Sequence, residues 1–228
     1  MVDPTLYKKY PKQKIEEALA LLEYKKVSGM PKKESITMPT IYIFRHGQTE
    51  DNANFIFSGW RDSPLTEKGR EQALELAKKL KDKKLDILIS SPQIRAIDTM
   101  KLAISLNEYA KDREISTDSR IKERGYGELQ GKSKLEIQLE NPEQLKKYRR
   151  SYYEKVKDGE SLEDVVKRVE DFCQEIVPLM KLHKLNVAIS CHGNSIRGFR
   201  KYFENLTPEQ VCEVETPLGQ DYISYVID

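Results

Sequence analysis

The sequence predicts an α/β protein of three layers, with helices on both faces of a mostly parallel central sheet. Three short apolar runs that are rich in β-branched residues occur at 41–44, 85–89 and 186–190. Segments with helical periodicity separate them. Parallel strands need long crossover connections, which are usually helices, so this alternation favours parallel pairing.

The first 38 residues differ in composition from the rest of the chain. They contain eight Lys, no Arg and five acids, whereas a transit peptide is Arg-rich and poor in acids. An amphipathic helix is predicted between Pro11 and Gly29. Its apolar residues are Ile15, Ala18, Leu19 and Leu22. We therefore expect a helical extension, 1–38, that packs on the main domain, 39–228, or on a partner.

The remaining elements follow from periodicity and capping residues. Apolar residues on one face predict a helix over 67–81. A second helix is expected to start at 90–92, with Pro92 just inside it, and to run to about residue 106. A long helix over 161–182 begins with a capping signal from Ser161 and Asp164, and another helix covers 195–204. The run 222–227 is expected to be an edge strand.

Composition excludes several classes of function. Thirty-nine Lys and Arg against 37 Asp and Glu give a net charge of +2, which argues against nucleic-acid binding by bulk charge. No apolar run approaches the ~18 residues that span a bilayer, and no secretory signal is visible. The three scattered cysteines suggest neither a disulfide framework nor a zinc site. We expect a soluble cytoplasmic protein that binds neither nucleic acid nor membranes.

Basic side chains follow the three predicted strands, where ligands of such sheets bind. Arg45 and His46 come after the first strand, Arg95 lies shortly after the second, and His192 follows the third. A metal site is the alternative for two histidines, but two arginines would repel a cation. Arginine forks instead match phosphate oxygens bidentately, so the pattern predicts a phosphate site without a metal.

This chemistry fits phosphoryl transfer through a phosphohistidine. A neutral imidazole is a competent nucleophile near neutral pH, and Arg45 and Arg95 would stabilise charge on the transferring group. His192 is expected to act as a cationic donor, and Gly47 to let the backbone approach the phosphate with its N–H pointing inward. The leaving oxygen needs a proton donor, for which composition alone selects no carboxylic acid.

These residues resemble the motifs of the histidine phosphatase superfamily. The shared blocks are RHG at 45–47, SSP at 90–92 with Arg95, and CHGNS at 191–195. Further blocks resemble the cofactor-dependent phosphoglycerate mutases in particular. They are SGW at 58–60, PLTEKG at 64–69, ERGYGELQG at 123–131, YRR at 148–150, ESL at 160–162 and TPLG at 216–219. The resemblance covers residues from about 41 to 228.

The resemblance implies a phosphoglycerate mutase-like fold and a glycolytic and gluconeogenic mutase. Such an enzyme exchanges a phosphate between positions 2 and 3 of glycerate after priming by 2,3-bisphosphoglycerate. Its ligands are small phosphorylated three-carbon acids, it needs no metal, and a homodimer is the assembly that the resemblance favours.

The resemblance also implies residue roles. His46 would be the nucleophile and Glu123 the general acid and base, while Arg45, Arg95 and His192 would hold the transferring phosphoryl group. The other implied substrate contacts are Asn52, Ser58, Gly59, Tyr126, Lys134, Arg149, Arg150, Gly193 and Asn194. Without the resemblance, Arg149 and Arg150 in their Lys-rich surroundings would be read as a solvated helix face.

Departures from the family pattern leave an alternative open. Gln48 stands where Glu is commonest, the segment between Arg150 and Glu160 is short, and the extension 1–38 has no counterpart. We also expect no C-terminal tail over the site. Because a mutase must shield its phosphohistidine from water, the alternative is a phosphatase of small phosphomonoesters. The N-terminal helix as a substitute cover is a further hypothesis. A non-catalytic binding protein is disfavoured, because its catalytic candidates would not all be retained.

Overall fold

The computed structural model describes residues 3–23 and 27–228, and the strands in this part of the chain form a single five-stranded sheet. The order of the strands across the sheet is β3-β2-β4-β1-β5. They are β1 (Thr40–Arg45), β2 (Ile87–Ser90), β3 (Ile115–Thr117), β4 (Val187–Cys191) and β5 (Tyr222–Val226).

The sheet is mostly parallel, as predicted. Strand β4 pairs in parallel with β1 and β2, and β2 pairs in parallel with β3. Of the strands in the described ranges, β5 alone is antiparallel, and it lies at the predicted edge beside β1. Strand β3 was not predicted, because its three residues are largely exposed and carry no apolar run. In the β1–β4 register Arg45 lies opposite Cys191, so His46 and His192 leave the sheet side by side.

Ten α-helices occur in the described residues. They are α1 (Leu6–Lys9), α2 (Lys12–Glu23), α3 (Glu50–Ala53), α4 (Glu67–Leu80), α5 (Ile94–Ala103), α6 (Lys134–Glu140), α7 (Pro142–Arg150), α8 (Leu162–His183), α9 (Gly193–Glu204) and α10 (Pro208–Glu213). The predictions for α4 and α8 are accurate to about one residue, including the capping box of Ser161 and Asp164.

Alternate residues of the strands pack into two separate hydrophobic cores, one on each face of the sheet, which establishes the three layers. Ile41, Ile43 and Ile189 point to one face and pack with α8 and α9. Tyr42 and Phe44 point to the other face and pack with apolar residues of α4 and α5. This period of two is the expected geometry of a strand buried on both sides.

The prediction for the helix after β2 was wrong at both ends. The helix begins at Ile94 and ends at Ala103, and Pro92 lies outside it. Gln93 is the N-cap in an extended conformation, and its side chain donates to the carbonyl of Gly59 and accepts from the N–H of Glu123. The residues between β2 and α5 therefore form a loop, which Gln93 connects to Gly59 and Glu123. Helix α9 likewise begins two residues earlier than predicted, at Gly193.

The N-terminal extension packs on the rest of the chain. Ile15, Ala18 and Leu22 of α2 are buried in a third core together with Leu135 and Leu139 of α6. The described part of this helix ends at Glu23, and the rest of the predicted span up to residue 26 lies outside the described residues. Within the described ranges, no helix combines the length and the apolar character needed to cross a membrane.

Candidate active site

His46 lies directly after β1 and is almost completely buried. Its Nδ1 lies 2.7 Å from the carbonyl oxygen of Gly47. A carbonyl can only accept, so Nδ1 must carry the proton. In the neutral ring the lone pair is therefore on Nε2. The local backbone thus selects the tautomer that makes Nε2 the nucleophile.

His192 follows β4 and faces His46, with 5.1 Å between the ring centroids. Its Nε2 is 2.8 Å from the hydroxyl of Ser91, and the ring is fully buried. Burial lowers the pKa of His192 well below its usual value, and the positive charge of Arg95 lowers it further. The expectation of a cationic donor is therefore wrong. His192 is neutral near pH 7, because its site offers no solvation for a second proton.

Arg45 and Arg95 approach the two histidines from different elements. The guanidinium of Arg95 is 1% exposed and donates to the carbonyls of Arg61 and Gly59. The guanidinium of Arg45 donates to the carbonyl of Thr216. In both residues the Nε is buried and has no hydrogen-bond partner among the described residues, and the same is true of His192 Nδ1. Buried guanidinium donors are normally satisfied, so the Nε groups of Arg45 and Arg95 are suited to an anionic acceptor.

Gly47 has a different role from the one expected. Its N–H donates to the hydroxyl of Thr99 and does not point into the site. A Cβ at this position would lie 2.3 Å from the carbonyl oxygen of Gly69 in α4. The glycine is needed because two backbones pack against each other behind His46.

Glu123 lies in a loop and is 9% exposed. Its Oε1 accepts from the N–H of Arg124 at 2.7 Å and from the side-chain amide of Asn194 at 2.8 Å. Both hydrogen bonds are accepted by Oε1, and Oε2 takes no part in them. Trp60 and Arg168 both donate to the carbonyl of Glu123, which fixes the backbone. Glu123 is thus a rigidly held carboxyl group on the wall of the cavity.

No role in substrate binding was predicted for Arg124, and its contacts show that it holds the structure around the site together. The side chain is fully buried and donates to three carbonyls, those of Tyr148, Glu154 and Glu160. It therefore joins the loop of Glu123 to the end of α7 and to the segment that precedes α8.

Asn52 and the start of α9 add donors to the site. The Oδ1 of Asn52 accepts from the N–H of Thr49 in a capping box, which leaves the amide NH₂ as the end available to an anion. Gly193 opens α9, and the first N–H groups of a helix favour anions. The N–H of Asn194 differs from expectation, since it is directed at Glu123 Oε1 at 3.3 Å.

One cavity of about 600 Å³ is lined by most of these residues, namely Arg45, His46, Asn52, Arg95, Glu123, Gly193 and Asn194. Seven Lys and Arg side chains and three Glu side chains occur among the described residues that line it, so positive charge dominates. The cations are Arg45, Lys68, Arg95, Lys134, Arg149, Arg150 and Arg197, and the carboxylates are Glu23, Glu123 and Glu215. A cavity with this charge excess attracts small polyanions.

Arg149 and Arg150 are adjacent in α7 but have different environments. Arg150 forms an ion pair with Glu215, which also lies 3.6 Å from Arg197. Arg149 has no side-chain hydrogen bond or ion pair within the described part of the chain, and burial, followed by Arg150, lowers its pKa. A partly buried, unpaired guanidinium on a cavity wall is suited to bind an anion.

The other expected contacts also reach this cavity. Ser58, Gly59, Tyr126 and Lys134 all line it. The hydroxyl of Tyr126 accepts from the side-chain amide of Asn194 at 3.2 Å. Lys134 begins α6, donates to the carbonyl of Ile56 and lies over the ring of Phe57. The fold thus brings every predicted site residue to the lining of this cavity except His192, which is fully buried and packs against His46.

Several lining residues were not anticipated. Arg197 and Lys68 lie within or beside motifs that were recognised, but no role was inferred for them. Glu215 carried no signal in the sequence, because its importance depends on the pairing with Arg150. Leu22 and Glu23 belong to the N-terminal extension and reach the cavity only through the tertiary fold.

Comparisons with known proteins give a consistent result. Residues 41–223 match the histidine phosphatase superfamily (branch 1). The chain is 39% identical over 184 residues to a protein of Cytophaga hutchinsonii named 2,3-bisphosphoglycerate-dependent phosphoglycerate mutase. That alignment covers 80% of this chain and 85% of the relative.

Solved structures share the fold. Bacillus stearothermophilus YhfR superposes with a TM-score of 0.73 at 27% identity, covering 82% of this chain and 90% of that one. A phosphoglycerate mutase of Bacillus anthracis gives a TM-score of 0.65 at 23% identity, over 83% of this chain and 89% of that one. At that identity, the second similarity is evidence for the fold alone.

Proposed function

The chain belongs to the histidine phosphatase superfamily, and we propose that it interconverts 3-phosphoglycerate and 2-phosphoglycerate through a phosphohistidine at His46. One observation carries the proposal. The cavity that contains His46, Arg45 and Arg95 also contains Arg149, a second cationic group that has no partner among the described residues. A site with two separate anion-binding ends fits a substrate that carries both a phosphate and a carboxylate.

The proposed reaction uses His46 as the nucleophile and Glu123 as the acid and base. His46 Nε2 attacks phosphorus, the N–P bond forms, and the bond from phosphorus to the leaving oxygen breaks. Arg45, Arg95 and neutral His192 stabilise the charge on the phosphoryl oxygens. Glu123 protonates the leaving oxygen. Its carboxylate then accepts the proton of the free hydroxyl of a phosphoglycerate as the hydroxyl oxygen attacks the phosphohistidine, which breaks the N–P bond and gives a bisphosphate whose other phosphate can return to His46.

The residues present also fit a bisphosphorylated primer. The unpartnered Nε groups of Arg45 and Arg95, beside His192, would hold one phosphate, and Arg149 with Lys134 would hold the other end. When bound, 2,3-bisphosphoglycerate supplies the first phosphoryl group to His46. The excess of cations over carboxylates in the cavity suits such a highly charged ligand.

The test follows 3-phosphoglycerate in the presence of EDTA, with and without catalytic 2,3-bisphosphoglycerate. The amounts of 2-phosphoglycerate and of free phosphate are measured together. We expect isomer formation that depends on the bisphosphate and resists EDTA, because the proposed phosphate contacts are all side chains and N–H groups. If free phosphate accumulates and no isomer forms, the mutase proposal fails and the phosphatase alternative replaces it.

A further inference from the structure

The C-terminal end of α2 is part of the wall of the active-site cavity. Leu22 is 3% exposed and Glu23 is exposed, and both line the cavity together with Asn52, Lys134 and Arg149. Among the described residues on that lining, Glu23 is one of three carboxylates, of which Glu123 is assigned to proton transfer and Glu215 is paired with Arg150. Its charge therefore calls for a different explanation.

The position of this wall is fixed by the packing of α2 on α6. Leu22 is buried with Leu135 and Leu139 of α6 in the third core. The preceding helix α1 ends near the far end of α6, where Lys9 forms an ion pair with Glu140. Helix α2 therefore runs back along α6 toward the residue that opens it, Lys134, which also lines the cavity. The apolar contacts bring the end of α2 to the site.

The chain is held again after α2, on another side of the cavity. The N–H of Ser28 donates to the carbonyl of Glu215, and the hydroxyl of Ser28 accepts from the N–H of Glu215. Next, Lys32 pairs with Ser224 along the outer edge of β5. Anchors on both sides of its end make the extension a built part of the site.

This wall lies outside the part of the chain that matches the family, which begins at residue 41. We propose that the end of α2 is a specificity-determining wall: Glu23 limits the charge, and Leu22 the size, of the phosphorylated ligand that the cavity accepts. The proposal deepens the proposed function, on which its choice of ligands rests. A carboxylate at the rim of a cationic site raises the free energy of a bound polyanion in proportion to the charge of that polyanion.

The experiment compares the binding of three ligands of increasing charge, namely inorganic phosphate, 3-phosphoglycerate and 2,3-bisphosphoglycerate. Dissociation constants are measured by calorimetry on the full chain and on E23Q. The matched control is E17Q, which removes an exposed carboxylate of the same helix that accepts a hydrogen bond from Gln13 in the first turn of α2. Binding is measured at ~0.05 M and ~0.5 M salt, because screening shortens the reach of an exposed charge.

We expect E23Q to tighten binding in order of ligand charge, from about twofold for inorganic phosphate to about tenfold for the bisphosphate at low salt. The gradient shrinks at high salt, and E17Q binds all three ligands as the unaltered chain does. A change of equal size for all three ligands, or E23Q values that match those of E17Q, would overturn the role of Glu23. A merely structural effect gives no gradient with charge.

The size limit is tested separately with L22A and a bulkier aryl ester, p-nitrophenyl phosphate. We expect its kcat/KM to rise severalfold relative to that of 3-phosphoglycerate, with the fold checked by circular dichroism. An unchanged ratio in folded L22A overturns the role of Leu22. Because calorimetry requires no turnover, absence of isomer formation would refute the proposed function while a charge gradient in E23Q still supported the wall. Isomer formation by the unaltered chain together with no charge gradient in E23Q would refute only the proposed wall.

Discussion

The two ends of the cavity are built in different ways. The phosphoryl-transfer end consists of His46, His192 and Arg95, which are at most 2% exposed. The two histidines follow neighbouring strands directly, and Arg95 lies in the first turn of α5. The recognition end consists of Tyr126, Lys134, Arg149, Arg150 and the end of α2, which come from helices and loops and are more exposed.

The phosphoryl-transfer end therefore determines the chemical step, and the recognition end determines which ligand binds. Side chains at the ends of buried strands are held by the sheet and by two cores, so the reacting groups keep a fixed geometry. Side chains on peripheral helices depend on fewer contacts and can change without disturbing the sheet. Changes at the first end should therefore abolish turnover, and changes at the second should alter binding.

The largest effect is expected for H46Q. Removal of the nucleophile should lower kcat by a factor on the order of 10⁴ or more, because no phosphohistidine can form. Labelled bisphosphoglycerate should leave no acid-labile phosphate on the protein. The control is H183Q, which alters the exposed last residue of α8 and should retain full activity. Label on H46Q would assign the nucleophile to another residue.

The next effect is expected for E123Q, which keeps an oxygen acceptor for Arg124 and Asn194 but loses the acid. We expect kcat with 3-phosphoglycerate to fall about 10²- to 10⁴-fold with little change in KM. With p-nitrophenyl phosphate, whose leaving group needs no protonation, phosphorylation of His46 should be far less affected. A loss of equal size with both substrates would contradict a role in proton transfer.

The same division explains what the sequence could predict. Residues after β1, β2 and β4 were assigned correctly to one sheet edge, because strand order and parallel pairing place them there. Strand β4 lies beside β1 in the sheet although the two are far apart along the chain. This adjacency brings His46 and His192 together. The charge state of His192 was not predictable, because it depends on burial and on Arg95.

The recognition end was predicted only through family resemblance. No periodicity distinguishes Arg149, which is unpaired, from Arg150, which is paired with Glu215, since the partner lies 65 positions away along the chain. The contribution of Glu23 was equally hidden, because it requires the packing of α2 on α6. Local patterns report strands and helices, whereas these contacts arise from distant segments.

The third prediction separates the two adjacent arginines. We expect R149Q to raise KM for 3-phosphoglycerate about 10²-fold at nearly constant kcat, since a charge-assisted contact contributes ~1.5–3 kcal/mol. Its free energy of unfolding should not fall, because the side chain is unpaired in the described structure. R150Q should instead lower the free energy of unfolding by about 1–2 kcal/mol, because the partly buried Glu215 loses its closer ion pair and keeps only the longer one to Arg197. Equal unfolding curves for the two variants would contradict this distinction.

The smallest effect is a pH dependence of stability that comes from the buried, neutral His192. Its pKa is lowered in the folded chain, so below about pH 6.5 the unfolded chain binds the proton first. The stability contributed by the neutral ring is therefore complete above that pH and is lost as the pH falls toward the folded pKa. The slope is at most about 1.4 kcal/mol per pH unit for one group.

Denaturant unfolding between about pH 5 and 8 measures this slope, with H183Q as the control for an exposed histidine. The slope should persist in H183Q and be reduced in H192Q, whose amide does not titrate. An NMR titration of the intact protein adds an independent check, since the ring of His192 should stay neutral where that of an exposed histidine titrates. If the ring of His192 were protonated at pH 7, the lowered pKa would be refuted and the expectation of a cationic donor would be restored.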